Sequence, residues 1–176
     1  MKQKGAVLLL FAVAVGWMPA AAIAYCPGND RLLPHYDPKF YSVTEEFSRA
    51  RYVVTVRVIS ETWLGEDGAK KALKPPFQNG ASRPWGFDPY LGAYYRVKII
   101  SVFKGRPSTT LRVFSENSTG RFILNVGADY LLFVTNETFD VIGSQFTVDT
   151  CGNSASLDKA QVTLSQVRRL ARRQQF

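Results

Sequence analysis

One histidine, His35, and two cysteines, Cys26 and Cys151, limit the chemistry open to this chain of 176 residues. A serine or cysteine hydrolase needs a base within reach of its nucleophile, and His35, set between Pro34 and Tyr36, is the single imidazole. It reads as a surface or packing histidine. Two widely separated cysteines and one histidine cannot complete a four-ligand zinc site from Cys and His alone. Glu66, Asp67 and Asp88 share one loop, and paired carboxylates can act as acid and base, but their spacing fixes no separation between them. Gly65, Gly68, Gly80, Gly86 and Gly92 match neither the P-loop nor the dinucleotide pattern. The residues therefore predict no catalytic site, no metal and no cofactor, and a protein that is not an enzyme.

Binding is what remains. The stretch from Gly65 to Gly92 combines turn-forming Gly and Pro with Phe77, Trp85, Phe87 and Tyr90, as expected of a long inserted loop that is functional rather than merely connecting. Its aromatics can form an interaction surface or fold back over one end of the core. A basic patch, Arg168, Arg169, Arg172 and Arg173, sits near the C-terminus, where it complements a helix dipole or meets an acidic partner or anionic membrane surface. The formal charge is +8, and loss of Lys2 and Lys4 with a leader would leave an excess of six. Four of those six are the arginine patch, so the rest is nearly balanced and no nucleic acid partner is expected.

The leader is expected over residues 1–24. Lys2 and Lys4 precede an apolar run from Ala6 to Val15, and Ala22-Ile23-Ala24 supplies a small-residue cleavage site, the layout of a secretory signal. The mature chain, 25–176, is long enough for one domain with a core of its own. A secreted or periplasmic monomer with no stable membrane insertion after signal cleavage is expected, its partner an exported or cell-surface protein. In an oxidising compartment the two cysteines are expected to form one disulfide, contributing roughly 4–5 kcal/mol in the chain-entropy account. Asn117-Ser118-Thr119 and Asn136-Glu137-Thr138 are glycosylation sequons, meaningful in a eukaryotic pathway, whereas so low a disulfide count leans toward a bacterial exported protein.

The elements that must position these residues are mostly strands. Tyr94–Gly105 alternates with period two, Tyr95, Val97 and Ile99 against Arg96, Lys98 and Ile100, and Lys104-Gly105 supplies a stop. Further strands are expected over Arg51–Leu64, bent midway, and over Thr110–Ser115. Ala128–Thr135 should be buried on both faces, and Val141–Thr150 should carry a bulge at Gly143. A helix is predicted from an Asp37 N-cap and Pro38 onward, with Phe40, Val43, Phe47 and Ala50 inward and Glu45 and Glu46 solvated. A second, capped by Ser154 or Ser156, should dock through Leu157, Ala160, Leu164, Val167, Leu170 and Ala171. The expected fold is mainly β, a five-stranded antiparallel OB-like barrel with one N-terminal and one C-terminal helix packed on it.

The Cys26 arm, the strand ending Val102-Phe103-Lys104-Gly105, the Gly127-Ala128-Asp129-Tyr130-Leu131-Leu132-Phe133 step and Cys151-Gly152 together resemble the netrin-like module. That is the OB-type barrel of the tissue inhibitors of metalloproteinases (TIMP-like proteins) and their bacterial relatives, and the likeness spans Cys26 to Leu170. It implies that Cys26 and Cys151 are the surviving pair that ties the N-terminal arm to the barrel. It also implies an exported binding module that engages a protein partner through Cys26, Pro27 and the adjoining edge or loop. The inhibitors begin Cys-x-Cys and chelate the protease zinc through the amine and carbonyl of their first residue. Here Gly28 replaces the second cysteine, and a cut after Ala24 leaves Tyr25 ahead of Cys26. Metalloprotease inhibition by N-terminal chelation therefore stands as the alternative, beside a carbohydrate-binding barrel that would use Trp85, Phe87 and Tyr90.

Overall fold

The structure is a computed structural model that describes residues 41–65, 70–71, 90–118 and 121–174. The expected signal, Cys26, Pro27, His35, Asp37, Pro38, Phe40, Glu66, Asp67, Phe77, Trp85, Phe87 and Asp88 lie outside the described residues. The chain is mainly β with two helices: α1 (Val43–Arg49), β1 (Tyr52–Gly65), β2 (Lys70–Lys71), β3 (Tyr90–Lys104), β4 (Thr110–Glu116), β5 (Asp129–Phe139), β6 (Gly143–Val148), β7 (Ala155–Ser156) and α2 (Gln161–Arg173).

The strands form one sheet in the order β2-β1-β3-β4-β6-β5-β7, and β1 also pairs with β5, closing the sheet partly into a ring. β1 can serve two neighbours because it is long and broken by register shifts at Val53/Val54, Thr55/Val56 and Val58/Ser60, which bend it between them. Its first half pairs with β5, from Tyr52↔Val134 to Arg57↔Asp129, while its whole length follows β3. β4 and β6 meet at the other side of the ring through Val113↔Phe146, and they run parallel. The all-antiparallel expectation is corrected there. Two parallel strands cannot be successive arms of a hairpin, and local alternation carries no trace of such a contact.

Alternation sorts the side chains into two cores. Val54, Val56 and Val58 of β1, Tyr95 and Val97 of β3, Val113 of β4, and Tyr130, Leu132 and Val134 of β5 fill the ring. Val53 of β1 and Leu131 and Phe133 of β5 face outward under the helices, packed on Phe47 and Ala50 at one end and on Ala160, Leu164 and Val167 of α2. β5 is thus buried on both faces from Tyr130 to Val134, as its unbroken apolar run requires. Inside the ring the Tyr95 hydroxyl donates to Glu61 Oε1 at 2.8 Å, and burial followed by the adjacent carboxylate pushes its pKa up.

The helices and one turn depart from expectation. α1 starts at Val43, with Ser42 as N-cap accepting from Glu45 N at 3.2 Å, because Ser42-Val43-Thr44-Glu45 is itself a capping sequence. α2 starts at Gln161 behind Ala160, with no side-chain cap. Neither predicted serine is available: Ser154 Oγ accepts from the buried Phe133 N–H at 2.9 Å, and Ser156 pairs with Tyr130 in β7. Gly143, at φ +68°, begins β6 at the hairpin from β5 rather than forming a bulge inside a strand.

Candidate functional site

Two polar fastenings hold α1 to the ring. The first is at Cys151-Gly152-Asn153, where Glu46, expected in solvent, is 4% exposed. Its Oε2 accepts from Asn153 N at 2.5 Å and Asn153 Nδ2 at 2.7 Å, and a Cβ on residue 152 would collide with the same carboxylate and push it out of place. Asn153 Nδ2 also donates to the Tyr41 carbonyl at 2.8 Å, and Cys151 N donates to Asp149 Oδ1 at 2.8 Å. The second is at the end of β3. Lys104 Nζ donates to the carbonyls of Phe47 and Ser48, both at 2.7 Å, and so closes the C-terminus of α1. Burial holds its pKa below the ordinary lysine value. Gly105 follows at φ +81°, where a Cβ would lie 2.6 Å from the Arg51 carbonyl. The short motifs Lys104-Gly105 and Cys151-Gly152 therefore position a helix.

At the other end of β1 an aromatic cluster forms. Gly65 and Tyr90 are cross-strand partners, so the segment 66–89 that carries Trp85 and Phe87 begins and ends there. Tyr90, placed by sequence inside the loop, is the first residue of β3, half-buried, with its ring edge-on to Trp63 at 5.2 Å. The end of β4 locks this corner: Asn117 N donates to the Leu91 carbonyl at 2.8 Å and Asn117 Nδ2 to the Tyr90 carbonyl at 3.0 Å. Arg121 Nη1 donates to Asn117 Oδ1 at 2.8 Å, and the Arg121 guanidinium lies 5.9 Å from the centre of the Trp63 ring.

Arg121 connects the cluster to a cleft of about 230 Å³. The cleft lies where β4 and β6 run on beyond their shared contact at Val113↔Phe146. Phe114, Phe122 and Phe139 give it apolar walls, and Glu116, Glu137 and Asp149 bring carboxylates to it. Among the described residues, Ser115 Oγ and Thr150 Oγ1, both on residues lining this cleft, are buried without a hydrogen-bond partner.

Of the residues singled out by sequence, the structure places Tyr90 at this end and Cys151 in the turn beneath α1, and it puts Arg168, Arg169, Arg172 and Arg173 on the exposed side of α2. None of the four arginines makes an ion pair with another described residue within 4 Å. Sequence reasoning missed Glu46, Trp63, Asn117, Arg121 and Asn153. Only Glu46 gave a signal, its place beside the inward Phe47 in a short helix. Among the described residues, no group of three or more His, Cys, Asp or Glu is placed to hold a metal ion, and no helix is long and apolar enough to cross a membrane. In comparisons with known proteins, no family model and no curated sequence matches the chain.

Proposed function

We propose that this protein is an exported, non-enzymatic binding module with a netrin-like OB-type barrel, which engages a protein partner through the end of the ring where segment 66–89 is rooted. The barrel reading is supported by the ring order β1-β3-β4-β6-β5, because a partly open, five-strand Greek-key ring is the OB architecture. The observation that carries the function is the pairing of Gly65 with Tyr90 beside Trp63 and Arg121. It roots the aromatic-rich segment on a rigid corner next to a cleft, and binding residues are characteristically loop residues fixed by a rigid scaffold. The Cys26–Cys151 disulfide belongs to the same reading. Its support is that Tyr41, the first described residue, is tied to Asn153, two positions from Cys151.

The test is affinity capture from exported or cell-surface fractions, with the wild type and the Trp85→Ala/Phe87→Ala variant compared side by side. The variant is expected to keep the wild-type circular dichroism spectrum and to lose the specifically captured protein. Equal capture by both would remove the 66–89 segment as the binding element.

A further inference from the structure

We infer that the cleft between β4 and β6 is a subsite for one basic side chain, a lysine or arginine, of the protein partner; this rests on the binding function proposed above and names the chemistry it reads. The lining sets the sign. Glu116, Glu137 and Asp149 bring three carboxylates to the cleft against one cation, Arg121. That cation is already engaged, bonded to Asn117 and set over the Trp63 ring. The result is an acidic notch on a chain that is otherwise nearly balanced apart from the basic patch on α2, so a cationic group is drawn to this spot.

Hydrogen bonding and shape agree with the charge. The Ser115 and Thr150 hydroxyls are buried without partners among the described residues, and Ser115 is 8% exposed. A buried hydroxyl left unpaired costs free energy, and an ammonium or guanidinium, which carries several donors and no acceptor, satisfies it by donating to the hydroxyl oxygen. The half-buried Phe122 and Phe139 offer ring surface to an aliphatic stem and to the cation itself. A volume of about 230 Å³ lies below the roughly 300–1,000 Å³ typical of sites for drug-sized molecules, and it suits a single side chain.

The probe for a test is N-acetyl-arginine amide, titrated into isotope-labelled full-length protein and followed by backbone amide NMR shifts. N-acetyl-lysine amide runs beside it, with N-acetyl-glutamine amide and methyl glucoside as neutral controls. The two cations are expected to give saturable shifts centred on Ser115 and Thr150, and the neutral compounds none. The exposed pair Glu116→Gln/Glu137→Gln leaves the core untouched and is expected to weaken the cationic probes by at least about fivefold. Three results would overturn the inference: no saturable shift with either cation, equal binding of methyl glucoside (which makes the cleft a sugar site), or unchanged affinity in the double variant. Because the probes are small molecules, this outcome is independent of whether the Trp85→Ala/Phe87→Ala variant still captures the partner.

Discussion

Removing the buried Glu46 carboxylate should be among the most damaging single changes in α1, although the residue sits in a charged Glu-Glu pair. Glu46 Oε2 accepts two hydrogen bonds from Asn153, one from the backbone and one from the side chain. A hydrogen bond contributes about 0.5–1.5 kcal/mol net and a buried donor left unsatisfied costs about 1–3 kcal/mol, and residue Asn153 is buried, so Glu46→Ala both loses the bonds and orphans a donor. Water entering beside the half-buried Tyr41 would recover part of this, which puts the net loss near 3 kcal/mol, a large share of a total stability of about 5–15 kcal/mol. Asn153→Ala keeps its backbone donor and should cost about 2 kcal/mol. Urea unfolding at 25 °C, followed by circular dichroism in an oxidising buffer, would be run on the wild type, both single variants and the double variant. A coupling energy of about 1.5 kcal/mol with an unchanged m-value is expected, since the two side chains share one bond. A loss below about 1 kcal/mol for Glu46→Ala, or a coupling within error of zero, would refute the claim that this carboxylate fastens the helix.

Gly105→Ala forces a side chain into φ +81° and against the Arg51 carbonyl, and it should cost about 2–3 kcal/mol, read as a fall of several degrees in Tm. Tyr95 has its pKa raised by burial and by Glu61, so its neutral form is favoured in the folded state. That contribution is full below the unfolded tyrosine pKa of about 10 and is lost as pH rises above it. Tyr95→Phe should therefore flatten the alkaline limb of a stability–pH profile measured by urea unfolding, and an unchanged limb would contradict the assignment. Reduction should lower Tm markedly if Cys26 and Cys151 are joined as proposed; a melting curve indifferent to reductant, or peptide mapping that finds both thiols alkylated without reduction, would disprove the pairing.

What the sequence made legible was what depends on neighbours close along the chain. The alternation of Val54, Val56 and Val58 fixed their inward face, the apolar run Tyr130–Val134 announced a strand covered on both sides, and the Leu164/Val167 stripe found its docking surface. Features set by distant partners were not legible. Glu46 has the composition of a solvated helix position, and Asn153, far along the chain, holds it inside. Ser154 has the composition of an N-cap, yet an unpaired amide on Phe133 claims its hydroxyl. Tyr90–Gly92 were read as loop because Gly and Pro dominate the residues before them, whereas cross-strand pairing with β1 and β4 makes them strand. The corner of Trp63, Asn117 and Arg121 is assembled from three separate elements, and no local pattern marks it.

The bond between Glu46 and Asn153 spans 107 positions of chain. A nascent polypeptide emerging N-terminus first cannot make this fastening of α1 until nearly everything else has been made, and contacts so remote in sequence slow folding. An incomplete chain should thus stay pliable around α1 until Asn153 has been added. Truncation just ahead of Asn153 should accordingly yield a product that proteases digest readily, while the finished chain becomes resistant once its tail arrives.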